Sequence, residues 1–220
     1  RAAAAQVRQY PDPYCRALTA AIAAHEGVPQ PYVLCGGGAA ELIYAYCDAL
    51  RPRLAAEPAP TFSEYRTAAA HFGAQLAQYP LRAPDFLPDE GLLAFLKERK
   101  PDVLFLCTPN NPTGVVYSAD TLTRMAAILT EKSAQYGHNI FLVSDEPYRD
   151  IVFDGKTVPY PAAFYPHTLT CFSYSKSLSL PGERLGYVAV RPGCEGEDIL
   201  VDMMSQISRF TGHNCPPSII

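Results

Sequence analysis

The sequence predicts an α/β protein in which helices cover both faces of a mostly parallel central sheet, as a three-layer sandwich. A continuous apolar run at residues 103–107 and mainly apolar runs at 140–143 and 168–172 are typical of parallel strands that are buried on both faces. Helical periodicity separates these runs, and a loop rich in polar side chains follows each of them. Because open α/β sheets bind ligands outside the carboxyl ends of their strands, these loops form the candidate functional region.

The remaining elements follow from the same periodicities. Short apolar runs predict three further strands, at residues 31–35, 75–81 and 187–190. Apolar side chains at helical spacing predict five helices, at residues 13–25, 39–50, 64–72, around 92–96, and between Ser118 and Gly137. Ser63 and Ser118 are the expected N-caps of the third and fifth of these helices.

Composition narrows the possible functions. The chain has 220 residues, 48% of them hydrophobic, which is enough for a sizeable core. A formal net charge of -4, without a cluster of basic residues, argues against nucleic acid as a partner. No apolar run reaches the roughly 18 residues of a membrane-spanning helix, so we expect no membrane partner. Seven scattered cysteines without Cys-x-x-Cys spacing favour the cytoplasm over a disulfide framework, and neither they nor the histidines predict a metal site.

The chain is predicted to form one domain over residues 1–220. It begins without a methionine and stops without a cap or a polar tail, so we expect it to be part of a longer protein and incomplete at both ends.

Residues 173–187 carry a lysine among small hydroxyl side chains, followed by an arginine: Ser-Tyr-Ser-Lys-Ser-Leu-Ser-Leu-Pro-Gly-Glu-Arg-Leu-Gly-Tyr. Lys176 and Arg184 could together surround an anionic ligand. The alternative, for this stretch alone, is a solvated loop with two ordinary cations.

A glycine turn at residues 36–38 joins a predicted strand to a predicted helix. Such a turn points backbone N–H groups and the positive end of the helix at one place, where a phosphate can bind. A dinucleotide-binding turn would need glycine or alanine at position 41, which is Glu41, and the P-loop sequence is absent. The open interpretations are therefore a site for a single phosphate and a purely structural tight turn.

The loops at the strand ends together offer a lysine, a carboxylate, a tyrosine, an asparagine, hydroxyls, an arginine and an aromatic ring. A phosphorylated, protonatable aromatic aldehyde would need nearly this set. The lysine amine would form a Schiff base with the aldehyde. The carboxylate would keep a ring nitrogen protonated, since a buried pyridinium without a partner would lose its proton.

Three ordered motifs, at residues 107–114, 144–148 and 173–187, resemble the signatures of fold-type I pyridoxal-phosphate enzymes of the class I/II aminotransferase family. The resemblance implies the large domain of such an enzyme, with pyridoxal 5′-phosphate as cofactor and with the C-terminal small domain missing from this chain. It also implies a homodimer for the full-length protein.

Carried onto this sequence, the resemblance implies three catalytic residues: Lys176, Asp145 and Tyr148. Lys176 would bind the cofactor covalently and move the proton at the substrate α-carbon. Asp145 would pair with the pyridine nitrogen. Asn111 and Tyr148 would hydrogen-bond the phenolic oxygen.

The same resemblance implies how the rest of the cofactor is bound. Phe62 would stack on the ring. The phosphate would be held by backbone N–H groups at the start of a helix, by hydroxyls and by a guanidinium, which belong to Gly38, Ala39, Ala40, Ser173, Ser175 and Arg184.

The expected activity is transfer of an amino group between an amino acid and a 2-oxo acid. Residues 35–44 and 60–65, however, resemble the histidinol-phosphate aminotransferase and threonine-phosphate decarboxylase branch, whereas residues 144–151 and 179–184 resemble the aspartate aminotransferase branch. A pyridoxal-phosphate-dependent decarboxylase, a composite of two branches joined near Asn110, and a non-catalytic fragment are the alternatives.

Overall fold

A computed structural model describes residues 12–210, and the ends of the predicted domain before and after them lie outside this range. The helices are α1 (Arg16–Glu26), α2 (Ala39–Leu50), α3 (Glu64–His71), α4 (Glu90–Glu98), α5 (Ala119–Tyr136), α6 (Tyr174–Ser177) and α7 (Glu197–Phe210). The strands are β1 (Val33–Gly36), β2 (Leu54–Ala59), β3 (Gln75–Pro80), β4 (Val103–Cys107), β5 (Phe141–Asp145), β6 (Thr168–Ser173) and β7 (Gly186–Val190). Among residues 12–210 no helix is both long and apolar enough to cross a membrane.

The strands form one sheet in the order β1-β7-β6-β5-β4-β2-β3. Strand β7 is antiparallel to both of its neighbours, and all other pairs are parallel. The prediction of a mostly parallel sheet is therefore confirmed. The register pairs Asp145 with Cys107 on one side and with Cys171 on the other, so the carboxyl ends of β4, β5 and β6 lie side by side.

Helices pack on both faces of the sheet, as predicted. On one face, α2, α3 and α7 bury side chains such as Leu42, Tyr65 and Leu200 against the strands. On the other face, α4 and α5 bury a second set that includes Leu92 and Leu122. The sheet is thus covered on both sides, which explains why β4, β5 and β6 are buried along their whole length.

Two predicted helix caps have different outcomes. Ser118 caps α5: its hydroxyl accepts the N–H of Thr121 at 3.1 Å, and Gly137 ends the helix at a φ of 73°. Ser63 precedes α3 but has helical backbone angles, and its side chain makes no cap hydrogen bond. The prediction of a Ser63 cap is wrong because the helical conformation already includes this residue.

Strand β2 and helix α7 have no counterpart in the prediction. Strand β2 contains Glu57 and Pro58, residues that are depleted in strands. The structure buries Glu57 and supplies a hydrogen bond of 2.6 Å from the Gln78 side chain. Pro58 lies beyond the part of β2 that pairs with β4. Tertiary contacts therefore make a strand of a sequence whose local composition argues against one.

Candidate active site

A cavity of about 200 Å³ lies at the carboxyl ends of β4, β5 and β6. It brings together every predicted site residue except Gly38, which lies next to it: Ala39, Ala40, Phe62, Asn111, Asp145, Tyr148, Ser173, Ser175, Lys176 and Arg184. These side chains come from five separate segments of the chain, and their roles toward a ligand stay predictions.

One wall of the cavity is the glycine turn between β1 and α2. Gly38 has a φ of 95°, a backbone conformation that residues other than glycine rarely adopt. The Arg184 guanidinium lies against it, with Nη2 donating to the Gly37 carbonyl at 3.3 Å. Gly186 lets the turn approach β7, because a β-carbon there would lie 2.8 Å from the Ala39 nitrogen.

This wall has the properties of an anion site. The first N–H groups of α2, which include those of Ala39 and Ala40, have no intrahelical acceptor, and the helix dipole adds partial positive charge. Opposite them, the hydroxyls of Ser173 and Ser175 lie 2.8 Å apart at the end of β6. With the guanidinium of Arg184 they form a donor set that suits a phosphate group.

Asp145 ends β5 and is 3% exposed. The Tyr65 hydroxyl donates to its Oδ2 at 2.6 Å, whereas within residues 12–210 its Oδ1 accepts no hydrogen bond. Burial raises the pKa of the Asp145 carboxyl to about 6, although the hydrogen bond from Tyr65 acts in the opposite direction. A buried carboxylate oxygen with unused acceptor capacity at a cavity wall suits a protonated ring nitrogen.

Lys176 lies on the short helix α6, directly after Ser175, and its side chain is exposed. Its Nζ lies 5.8 Å from the centroid of the Tyr148 ring. Burial raises the pKa of the Tyr148 hydroxyl, so this hydroxyl is neutral at physiological pH and can donate a hydrogen bond. An amine accessible from solvent beside a phenol donor suits a covalent reaction with a carbonyl compound.

The loop after β4 is fixed by hydrogen bonds that hold Asn111 at the cavity. The side-chain amide of Asn110 donates to the carbonyl of Pro60 at 3.0 Å, and its backbone N–H donates to Val115 at 2.8 Å. The first of these bonds ties this loop to the segment that carries Phe62, which is half-buried in the cavity wall. Asn110 therefore fixes the position of Asn111 relative to Phe62, two residues that are predicted to contact the cofactor.

Four residues of the site were not predicted from the sequence. Cys107, Pro147 and Pro181 line the cavity, and Tyr65 bonds to Asp145 beneath it. Cys107, Pro147 and Pro181 lie within the three motifs, so their positions in the motifs were an available signal. Tyr65 ends the stretch 60–65 that carries part of the family resemblance, but only the fold shows its contact with Asp145.

These residues form a pocket whose chemistry suits a phosphorylated aromatic cofactor that reacts with a lysine amine. Two observations support the fit. Asp145 has a buried oxygen that accepts no hydrogen bond within residues 12–210, and a β-carbon on Gly38 would lie 2.8 Å from the Arg184 Nη2, among the donors that suit a phosphate. The sequence profile of the family described as aminotransferase class I and II matches residues 1–218. The chain belongs to this family, whose cofactor is pyridoxal 5′-phosphate.

Two curated relatives show the branch that the chain resembles. It is 35% identical over 192 residues to the threonine-phosphate decarboxylase of Salmonella typhimurium, covering 83% of this chain and 48% of that protein. It is 32% identical over 197 residues to a histidinol-phosphate aminotransferase of Symbiobacterium thermophilum, covering 87% and 51%. Each match includes parts of both halves of this chain. The chain spans about half the length of these relatives.

Solved structures agree with this assignment. An aminotransferase from Eubacterium rectale superposes with a TM-score of 0.83 at 34% identity, covering 96% of this chain and 54% of that one. The aspartate aminotransferase of Thermotoga maritima has a TM-score of 0.80 at 21% identity, covering 96% and 56%, and shows a shared fold. The predicted fold-type I architecture is confirmed.

Proposed function

We propose that this chain forms the cofactor-binding part of an aminotransferase that moves an amino group between an amino acid and a 2-oxo acid. The observation that carries the proposal is that Lys176 and the buried Asp145 line one cavity with Ser173, Arg184 and the start of α2, a donor set that suits a phosphate. When bound, pyridoxal phosphate supplies an electrophilic aldehyde carbon and a ring that accepts electrons. The cavity offers Arg184 for the phosphate, Asp145 for the ring nitrogen and Lys176 for the aldehyde.

The residues divide the work by their chemistry. The N-terminus of α2, Ser173 and Arg184 would bind the phosphate, and Asp145 would hold the ring nitrogen protonated. Phe62, an aromatic side chain in the cavity wall, would cover one face of the ring. Asn111 and Tyr148 would donate to the phenolic oxygen. This arrangement would fix the ring and leave its aldehyde toward Lys176.

Lys176 would have two tasks, covalent attachment of the cofactor and movement of the proton at the substrate α-carbon. A short helix that begins at the Ser173 cap carries this amine, so its position is set relative to the phosphate-binding hydroxyls. Its exposure leaves it accessible to an incoming amino acid. Free of the cofactor, a neutral amine at this position can act as the general base.

The proposal is tested by trapping the cofactor on the protein. Purified protein mixed with pyridoxal phosphate should develop a visible absorption band, and reduction with borohydride should leave a stable adduct that peptide mass spectrometry locates on Lys176. Lys176→Ala should form no adduct at this peptide. Lys156→Ala, which removes an exposed lysine of a neighbouring groove, should form the same adduct as the parent protein. The absence of a band in excess cofactor would refute the proposal and favour a non-catalytic role.

A second candidate is a decarboxylase that acts on a phosphorylated amino acid. It is supported by the 35% identity to a threonine-phosphate decarboxylase. The two reactions differ in which bond to the α-carbon lies perpendicular to the ring. Incubation with an amino acid alone distinguishes them: an aminotransferase converts one equivalent of cofactor to its amine form and stops, whereas a decarboxylase releases carbon dioxide continuously.

We also propose that the protein is a homodimer and acts in the cytoplasm. Large apolar side chains near the lysine are exposed, with Leu178 at 57% and Leu180 at 42%, which suits an interface. The six cysteines in the described range are free and buried, as is usual in a reducing compartment. Sedimentation at several protein concentrations tests the homodimer, and a monomer at all concentrations would refute it. Fractionation of cells tests the cytoplasmic location.

A further inference from the structure

The Tyr65 hydroxyl makes a buried hydrogen bond to the carboxylate of Asp145. Tyr65 lies on α3 and is fully buried, and its oxygen is 2.6 Å from Oδ2 of Asp145. The other oxygen, Oδ1, has no hydrogen-bond partner among the residues that the structure describes. The two carboxylate oxygens therefore differ: one is already used by the protein, and one is left for a ligand.

The Tyr65 ring is held on two sides by aromatic packing. It stacks on Phe105 of β4, with ring centroids 5.3 Å apart and an angle of 2° between the planes. It meets Phe62 edge to face, with centroids 5.6 Å apart. Since Phe62 lines the cavity, Tyr65 contacts both the side chain expected to cover the ring and the one expected to pair with its nitrogen. Packing, rather than the hydrogen bond alone, fixes where the hydroxyl lies.

The pKa values of the two groups show that the Tyr65 hydroxyl is the donor and the Asp145 carboxylate the acceptor of this hydrogen bond. Burial raises the pKa of the Tyr65 hydroxyl well above 10, so it stays protonated and acts as the donor at neutral pH. Burial also raises the pKa of Asp145 to about 6, and the Tyr65 hydrogen bond opposes that increase. A donor to the charged form of a carboxyl favours ionisation. Without this donor, burial would protonate more of Asp145 near neutral pH.

We propose that Tyr65 is a positioning residue that keeps Asp145 ionised and oriented, so that Oδ1 is the oxygen available to the ring nitrogen of the cofactor. The inference rests on the proposed function, because it assumes that the cavity binds pyridoxal phosphate. Tyr65 acts through Asp145 and through Phe62, and it lies outside the set of side chains that line the cavity.

The acidic limb of the pH dependence can be attributed to Asp145, because its titratable neighbours stay largely neutral between pH 5.5 and 7. Glu146 ionises only towards pH 8, and it is the same in parent and variant. Burial raises the pKa of the neighbouring thiols, phenols and carboxyl, with Cys107 at about 12 and Glu146 at about 8. The groups that face Asp145 from the surrounding elements are Tyr65, Cys107, Glu146, Tyr148 and Cys171. Lys176 and Arg184, the cations of the cavity lining, are the same in parent and variant.

The test measures the affinity of the cofactor-free protein for pyridoxal phosphate between pH 5.5 and 8. Tyr65→Phe keeps the ring and its stacking but removes the donor. The loss of the donor should raise the pKa of the Asp145 carboxyl, because the hydrogen bond no longer favours its ionised form. Binding at pH 7 should therefore weaken about 2- to 10-fold, and the acidic limb of the affinity profile should move to higher pH. Thermal unfolding of the cofactor-free variant measures its stability separately.

Tyr165→Phe is the matched control. It removes another buried tyrosine hydroxyl, which donates to the Ile140 carbonyl at 2.7 Å and lies away from the cavity. It should lose stability comparably and bind cofactor with the affinity and pH profile of the parent protein. If Tyr65→Phe and Tyr165→Phe both bind like the parent, Tyr65 is only structural and the proposal is overturned.

A double-mutant cycle covers the case in which Tyr65→Phe is too unstable to titrate widely. In an Asp145→Asn background the Tyr65→Phe change should no longer alter cofactor affinity, since the carboxylate through which it acts is gone. An undiminished effect in that background overturns the proposal. Failure of the parent protein to bind pyridoxal phosphate overturns the proposed function and this inference with it, whereas equal binding by parent and variant overturns the inference alone.

Discussion

Gly38 and Arg184 are in contact across 146 positions of the sequence, and the contact leaves no room for a side chain on the glycine. A β-carbon on Gly38 would lie 2.8 Å from Nη2 of Arg184 and 3.3 Å from its Cζ. The backbone of Gly38 has a φ of 95°, so the turn needs glycine for its conformation as well as for space. The missing side chain lets the guanidinium approach the start of α2, where the phosphate is expected.

Gly38→Ala should therefore separate folding from cofactor binding. We expect a loss of about 1–3 kcal/mol in the free energy of unfolding from the positive φ, and in addition a weaker affinity for pyridoxal phosphate because the guanidinium is displaced. Gly73→Ala is the control, since Gly73 has a φ of 86° and nothing within 4 Å of the added carbon. Urea unfolding and cofactor titration measure both effects. Equal affinity in the two variants would contradict the expected role of the Gly38 contact.

Asp145→Asn should stabilise the cofactor-free protein at high pH. The pKa of the carboxyl rises from 3.8 in a model peptide to about 6 in the folded protein, so the folded state binds the proton more tightly. The carboxyl costs no stability below about pH 4 and destabilises increasingly as the pH rises through about 6. The neutral amide avoids this cost, which is about 2–3 kcal/mol for a shift of this size.

Urea unfolding at pH 4 and pH 8 checks this prediction. The variant should match the parent at pH 4 and exceed it at pH 8, while its affinity for pyridoxal phosphate falls. Burial raises the pKa of Glu146 to about 8, and the charge of Asp145 contributes to this increase, so the variant also lowers the pKa of Glu146 and this adds to the gain in stability at pH 8. A variant that is less stable than the parent at both pH values would show that Asp145 is needed for folding.

Arg149 stabilises the fold through a buried cluster of side chains. It donates to the carboxylate of Glu26 and to the Tyr187 hydroxyl at 2.8 Å, and its guanidinium lies 4.5 Å from the Phe172 ring centroid. The Glu26 side chain is 6% exposed, so in Arg149→Met its charge would remain buried without the guanidinium, with the hydrogen bond from the Tyr187 hydroxyl at 2.6 Å still in place. We expect a loss of about 3 kcal/mol in the free energy of unfolding.

The matched control is Arg124→Met, which breaks a surface pair with Glu90, whose side chain is 76% exposed. That variant should lose less than about 1 kcal/mol. Chemical unfolding of both variants under one set of conditions gives the comparison. Similar losses in the two would mean that burial of the Glu26 pair contributes little.

Cys107 should be chemically inert although it lines the cavity. Burial raises the pKa of its thiol to about 12, so almost no thiolate is present at neutral pH. Iodoacetamide at pH 7 should therefore leave Cys107 unmodified in the folded protein and alkylate it after denaturation. Mass spectrometry of the peptide that contains Cys107 measures both states, and rapid alkylation of the folded protein would be the contrary result.

The buried strands and the motif loops were predictable because their signals are local. The run at 103–107 is apolar throughout and is strand β4 in the structure, since a strand covered on both faces needs no polar side chain. The predicted bounds of helix 39–50 match those of α2. Loops that follow parallel strands meet at one edge of the sheet, so Asn111, Asp145 and Lys176 could be expected in one region.

Features that depend on distant residues were not predictable in this way. Strand β2 forms despite Glu57 because Gln78, on the neighbouring strand, donates to the carboxylate. The antiparallel direction of β7 has no signature in its own residues, since β7 is buried along its whole length like β4, β5 and β6. Both features depend on which strands become neighbours.

The alternation of elements, the positions of the three motifs and the family could be predicted from the sequence, because periodicity and motif spacing are properties of contiguous residues. The fold was needed to show which oxygen of Asp145 accepts no hydrogen bond within residues 12–210, since Tyr65 reaches the other oxygen from a separate element. The fold was likewise needed to show that Arg184 lies against Gly38. Contacts between residues so far apart in the chain are set by packing in three dimensions, and a local pattern carries no record of them.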